Sequence, residues 1–226
     1  MSTTSKTSLA RASTAFLPLQ STIDTLWAKL APSGLPKEAR KIGFTSAQAG
    51  AGTTTVAACA AIGLARHMRA NVLLVEANYR SPRFARYLQT ASTPGLVDVL
   101  SGEVQLDAAL QKTDVPGLSI LTAGLGSRIS PGFFSTEHAS SVMDEFSKQY
   151  DFVLFDLSPV LESPETHSLM WRMDEACLVL RAGRTRQEAA TRAAAEITSS
   201  GVELLGSILN RHQSDLPDWL VGPTAA

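Results

Sequence analysis

From Lys41 onward the apolar positions follow two alternating rhythms. Short, nearly continuous apolar runs occur in KIGFTS (41–46), NVLLVEAN (71–78), GLSILTAG (117–124), DFVLFDLS (151–158), EACLVLRAG (175–183) and VELLGSILN (202–210). Their length and lack of polar alternation predict strands, with NVLLVEAN typical of one buried on both faces. Between them lie segments with helical composition or spacing. These are TTTVAACAAIGLARHMR (53–69), GLVDVLSG (95–102), FFSTEHASSVMDEFSKQY (133–150) and TRQEAATRAAAEITSSG (185–201), the last stopped by Gly201. Repeated alternation of strand and helix implies an α/β fold: a doubly wound, mostly parallel sheet with helices on both faces. Right-handed crossovers follow as the default. No internal repeat is visible.

The flanks read differently. Residues 1–14 are rich in Ser and Thr and are expected to be disordered. Residues 15–40 comprise a helix, with Leu19, Ile23, Leu26, Trp27 and Leu30 at helical spacing, and a Pro/Gly linker. The α/β domain then occupies 41–211, and 212–226 form an irregular tail whose Trp219 is suited to pack back or to meet a partner. The 226 residues are enough for one sizeable core. A net charge of −1 makes no electrostatic case for nucleic acid or for an anionic membrane. No apolar run approaches the roughly 20 residues of a membrane span, and residues 1–16 carry no apolar signal-peptide core. A cytoplasmic protein without direct membrane insertion is therefore expected. Cys59 and Cys177 sit in apolar runs, which reads as buried thiols in a reducing compartment, with a disulfide as the alternative.

In a doubly wound sheet, ligands bind beyond the carboxyl ends of the strands. Four segments end there: TSAQAGAGTTT, VEANYRSPR, FDLSPV and RAGRTR. The first has the rhythm of a phosphate-binding loop, G-x-x-x-x-G-K-[ST], with Gly50, Ala51, Gly52, Thr53, Thr54 and Thr55 as the nucleotide-binding candidates. Two features depart from the pattern: Ala47 holds the first glycine position and Thr53 the lysine position. Thr54 stands where a hydroxyl would meet Mg²⁺. Losing a hydrogen bond to a charged group predicts phosphate binding weakened roughly 10- to 150-fold. Phosphoryl transfer, which depends on positioned charge, should suffer more. A Gly/Ala/Thr loop opening a helix is also common with no ligand at all. Asp156, after four apolar residues, has the placement of a Walker-B aspartate that holds Mg²⁺; the plain alternative is a turn cap. Glu76 is a second catalytic candidate, sharing a strand side with Asn78 by period two. Its plain alternative is a solvated strand end or an ion pair with Arg80 or Arg83. The four histidines lack metal-ligand spacing, and no G-x-S-x-G elbow occurs.

From Lys41 to Arg211 the chain resembles the cytoplasmic catalytic domain of bacterial tyrosine kinases of the capsule and exopolysaccharide co-polymerase family, P-loop proteins related to the ParA/MinD ATPases. The resemblance rests on TPGLVDVLSGEVQLDAALQKTDVPGLSILTAG, on YDFVLFDLSPV as Walker B, on VLLVEANYRSPR as the second acidic motif, and on LVLRAGRT and GSILNR as late strands. It implies ATP or ADP with Mg²⁺ as ligands, Asp156 and Glu76 in catalytic positions, Thr54 and Asp156 at the metal, and Asn210 at the adenine. The departures fall where chemistry would occur. Thr53 replaces the loop lysine, Gln48 stands at the signature-lysine position of ParA-like proteins, and Glu76 and Asn78 replace an Asp-x-Asp pair. Tyrosines occur only at 79, 87 and 150, so the family's C-terminal tyrosine cluster is missing. The N-terminal Glu-x-x-Arg-x-x-Arg helix used for rings is missing too. The resemblance therefore implies a pseudokinase: a kinase-like component of exopolysaccharide synthesis or export with weakened nucleotide binding. It would act through a membrane chain-length regulator on a separate chain, peripheral to the inner face of the membrane. Homo-oligomerisation stays open. The alternatives are an active ATPase or tyrosine kinase, with Arg80 or Arg184 replacing the lost charge, and a ParA/MinD-like positioning ATPase.

Overall fold

The computed structural model describes residues 35–124 and 131–211. The expected N-terminal disorder, the helix of residues 16–30 and the tail with Trp219 lie outside them. The described chain builds seven strands: β1 (Arg40–Ser46), β2 (Val72–Ala77), β3 (Gln111–Lys112), β4 (Leu118–Leu121), β5 (Phe152–Leu157), β6 (Glu175–Arg181) and β7 (Glu203–Asn210). They lie in the order β3-β4-β2-β5-β1-β6-β7. Every pairing is parallel except β3 with β4. The expected doubly wound α/β sheet is what the sequence forms.

The continuous apolar runs have the expected cause. β2 and β5 are buried at every position, between neighbours on each side and core on each face. One core cluster gathers Ile42, Phe44, Val72, Leu74, Phe152 and Leu154 with helix α1 (Thr53–His67). The other gathers Leu73, Val75, Val153 and Phe155 with α3 (Leu96–Leu100), α5 (Glu137–Gln149) and α7 (Gln187–Ser199). α1 is buried at every residue from Val56 to Ala65, which is why Ala fills it: small side chains let a helix lie closely against a sheet. α5 is instead amphipathic, burying Ala139, Val142, Met143 and Phe146 at i, i+3, i+4 and i+7. Thr136 caps it, its hydroxyl accepting the Ala139 N–H at 3.1 Å.

Four elements add to the sequence reading. α2 (Phe84–Tyr87), α4 (Leu106–Ala109) and α6 (Pro164–Met170) are one- to two-turn helices, and β3 adds an antiparallel edge. The helix expected from Phe133 begins only at Glu137, after a 3₁₀ turn over Pro131–Ser135. Cys59 and Cys177 are buried and form no disulfide, and burial pushes the Cys59 thiol up to about 12. Among the described residues no helix is long and apolar enough to cross a membrane.

Candidate nucleotide site

β1 leads directly into the glycine loop, and the loop into α1. Gly50 and Gly52 have φ of 87° and 92°, in the left-handed region that glycine enters without strain. Gly52 caps α1, its carbonyl accepting the Val56 N–H at 3.1 Å. The N–H groups of the first turn have no partner within the helix, and Thr53, Thr54 and Thr55 of that turn line an open cleft of about 220 Å³. Gly50 and Gly52 line it as well. Ala51 does not; it is buried, and its carbonyl accepts the Asn210 Nδ2–H at 2.8 Å. The Asn210 Oδ1 accepts the Arg211 N–H at 2.9 Å. Asn210, which the resemblance assigns to an adenine contact, thus fastens the end of β7 to the loop and keeps one amide proton in reserve.

The base of the loop is braced. The Ser46 hydroxyl donates to the Gln48 carbonyl at 2.9 Å, the Val160 N–H to the Ser46 carbonyl at 2.9 Å, and the Thr45 hydroxyl to the Ser158 carbonyl at 2.8 Å. The ends of β1 and β5 are thereby locked together. The Ser158 hydroxyl also donates to Asn78 Oδ1 at 2.9 Å, joining β5 to the segment after β2.

Two carboxylates stand side by side at the carboxyl ends of β2 and β5, where Glu76 pairs in register with Asp156. Their surroundings differ sharply. Glu76 is buried and its carboxylate accepts three backbone N–H groups. Oε1 takes those of Arg83 and, at 2.8 Å, Phe84; Oε2 takes that of Ala123 at 3.1 Å. This arrangement sets aside the alternative of a solvated or ion-paired Glu76. Arg80 pairs with Glu165 at 2.9 Å instead, and Glu76 meets the backbone of Arg83 rather than its guanidinium. Burial raises the Glu76 pKa against the three hydrogen bonds, which lower it.

Asp156 has no such support. It is 1% exposed, and neither carboxylate oxygen has a hydrogen-bond partner. The Thr54 hydroxyl lies near enough to lower its pKa, yet outside hydrogen-bond geometry. Burial dominates and pushes the group up to about 7, Glu76 adds to the rise, and the Arg83 charge opposes it. A buried carboxylate with two unpartnered oxygens, next to a Thr hydroxyl at the start of a glycine-loop helix, fits a site for Mg²⁺ and phosphate. No group of three or more His, Cys, Asp and Glu side chains among the described residues forms a metal cage of its own.

The cleft also takes in residues the sequence reading did not single out. Arg83, Ser81 and Tyr87 line it from the β2 side, Ser158 and Glu162 from the β5 side, and Arg211 from the end of β7. Of the two arginines expected to replace the lost charge, Arg80 lines the cleft and Arg184 does not.

Comparison with known proteins follows the same line. No protein-family model matches the chain. The tyrosine-protein kinase YwqD of Bacillus subtilis is 28% identical over 178 residues, covering 79% of this chain and 75% of YwqD. The putative tyrosine-protein kinase EpsB of Ralstonia nicotianae is 30% identical over 139 residues, covering 62% of this chain but only 18% of EpsB. Among solved structures, the VpsO kinase domain superposes with a TM-score of 0.78 at 26% identity, covering 90% of this chain and 97% of that one. In sequence and in fold the chain is similar to the bacterial tyrosine-protein kinases. The septum site-determining protein MinD of Pyrococcus horikoshii, solved with Mg-ADP, matches more distantly (TM-score 0.63, 25% identity, 80% of this chain and 75% of that one). Both sets of matches place the chain among the P-loop NTPase folds.

Proposed function

We propose that this chain binds a magnesium–nucleotide at the Gly50–Thr55 loop and that its phosphoryl transfer is curtailed. It then works as a pseudokinase in exopolysaccharide synthesis or export. The carrying observation is Asp156: a fully buried carboxylate whose oxygens are unpartnered, facing a loop that lacks its lysine. When bound, Mg²⁺ would supply the charge that neutralises nucleotide phosphates. Thr54 and Asp156 would hold it, and the first-turn N–H groups of α1 with the Gly50 and Gly52 backbone would cradle phosphate. Thr53 contributes a hydroxyl but no charge, so positioning survives better than catalysis. Glu76, engaged by three amides, shapes the site and leaves proton transfer to no obvious group.

The kinase names of the relatives support a role in the same kind of system, and the braced site supports ligand binding as its remaining chemistry. The partner in this reading is a membrane chain-length regulator on a separate chain, which would bring a cytoplasmic protein to the inner membrane face. Calorimetry with Mg-ADP and Mg-ATP tests it, beside an Asp156→Asn variant and a turnover assay. Micromolar, Asp156-dependent binding with little ATP hydrolysis is expected. No binding at millimolar nucleotide, or hydrolysis matching an intact kinase, overturns it.

A further inference from the structure

A phosphate site without its lysine still faces concentrated negative charge, and backbone N–H groups carry only partial charges to meet it. Three arginines line the cleft: Arg80, Arg83 and Arg211. Arg80 is committed, its guanidinium paired with Glu165 at 2.9 Å. Arg211 follows Asn210 at the end of edge strand β7, which β6 and β1 separate from β5, and its side chain lies on the Gly52 side of the loop. Arg83 is placed otherwise. Among the described residues its side chain forms neither an ion pair nor a hydrogen bond. Its backbone N–H is held by Glu76, whose carboxylate adjoins Asp156 on the neighbouring strand. Its charge reaches Asp156, the residue beside Thr54.

We infer that Arg83 is the cation that takes over from the missing loop lysine, its guanidinium engaging the phosphate oxygens of a nucleoside di- or triphosphate. The inference rests on the nucleotide-binding reading above. A guanidinium suits this role, because its long stem spans a cleft from the opposite wall and its fork grips two phosphate oxygens at once. Glu76 then acquires a role that needs no chemistry of its own. By holding the Arg83 backbone, it positions the replacement charge beside Asp156.

The test is calorimetric binding of Mg-ADP to the full chain and to five variants: Arg83→Gln, Arg83→Lys, Arg80→Gln, Asp156→Asn and the double variant Arg83→Gln with Thr53→Lys. Thermal unfolding without ligand serves as the folding control. Arg83→Gln should weaken binding roughly 10- to 150-fold, the loss expected for one hydrogen-bonded charge. Arg83→Lys should restore part of it, and Arg80→Gln should change affinity less than about threefold, within the range of a screened surface charge. Thr53→Lys built into Arg83→Gln should recover binding, because the two cations serve one purpose. If the wild type binds in an Asp156-dependent way and Arg83→Gln binds equally well, Arg83 is not the replacement and the nucleotide reading stands. If the wild type does not bind at all, both fall together.

Discussion

Asp156→Asn should make the ligand-free protein more stable at pH 8, and the size of the gain follows from the burial of one carboxyl. In the folded chain its pKa rises from the ordinary 3.8 to about 7. The folded state therefore binds this proton more tightly than the unfolded state. Stability is unaffected by the group below about pH 4, falls as pH rises from about 4 to 7, and stays reduced above that. At about 1.4 kcal/mol for each tenfold change in proton affinity, the full cost at pH 8 is about 4 kcal/mol. Asn removes the charge but leaves an unpartnered buried amide, which takes back about 1–3 kcal/mol. The net gain should be about 1–3 kcal/mol at pH 8 and should vanish at pH 5. Urea unfolding of both proteins at the two pH values, without nucleotide, measures it. Mg-ADP should then raise the melting temperature of the wild type and leave the variant unmoved. A variant that is less stable than the wild type at pH 8 by more than about 1 kcal/mol would refute the reasoning, because Asp156 would then be a structural carboxylate with partners of its own.

Glu76→Gln should do the opposite, destabilising by about 1–3 kcal/mol at pH 8, since an amide NH₂ must face at least one of the three backbone donors; an unchanged urea midpoint would show that those contacts contribute little. Thr53→Lys should tighten Mg-nucleotide binding less in the wild type than in the Arg83→Gln background, because Arg83 already supplies the charge that a lysine at this cleft-lining position would return; equal gains in both backgrounds, read by calorimetry, would show that the two cations act independently. Gly52→Ala should abolish nucleotide binding: its Cβ would strike the Asn210 amide, and alanine at φ 92° is strained by about 1–2 kcal/mol. Retained affinity in that variant would place the phosphates elsewhere.

The sheet was legible because burial on both faces leaves a trace that no local context can hide: runs such as VLLV and FVLF have no polar position to alternate with. The short helices left a weaker trace. α2 and α4 are four residues each, less than two turns, so no period can establish itself; tertiary burial of Phe84, Leu106 and Ala109 holds them. α6 did carry a signal, Ser163 followed by Pro164 at the first helical position and Glu165 in the first turn. The site was half legible. Loop glycines, hydroxyls and Asp156 stand together at the strand ends, as their spacing implied. Glu76 escaped, because period two fixes the side of a strand but says nothing of which backbone returns to it. Arg83 escaped for a related reason: its importance comes from what its neighbours do, namely the commitment of Arg80 to Glu165 and the anchoring of its own N–H.

The contrast between Glu76 and Asp156 isolates what distinguishes a structural carboxylate from a ligand-facing one when both lie buried on adjacent strands. They share a register, a depth and a direction, so burial and strand placement cannot separate them. The chain after β2 folds back to offer Glu76 two amides, and the end of β4 offers a third. The chain after β1 offers Asp156 none, and its Thr54 hydroxyl stops short. Two neighbouring carboxylates also repel, which raises the Asp156 pKa further. Only a cation brought from outside the sheet both gives the Asp156 oxygens a partner and relieves the repulsion. Arg83 supplies part of that charge from the cleft wall, and a divalent ion carried in with phosphate would supply the rest. On this account the loss of the loop lysine removes one positive charge from a site still organised around the need for one.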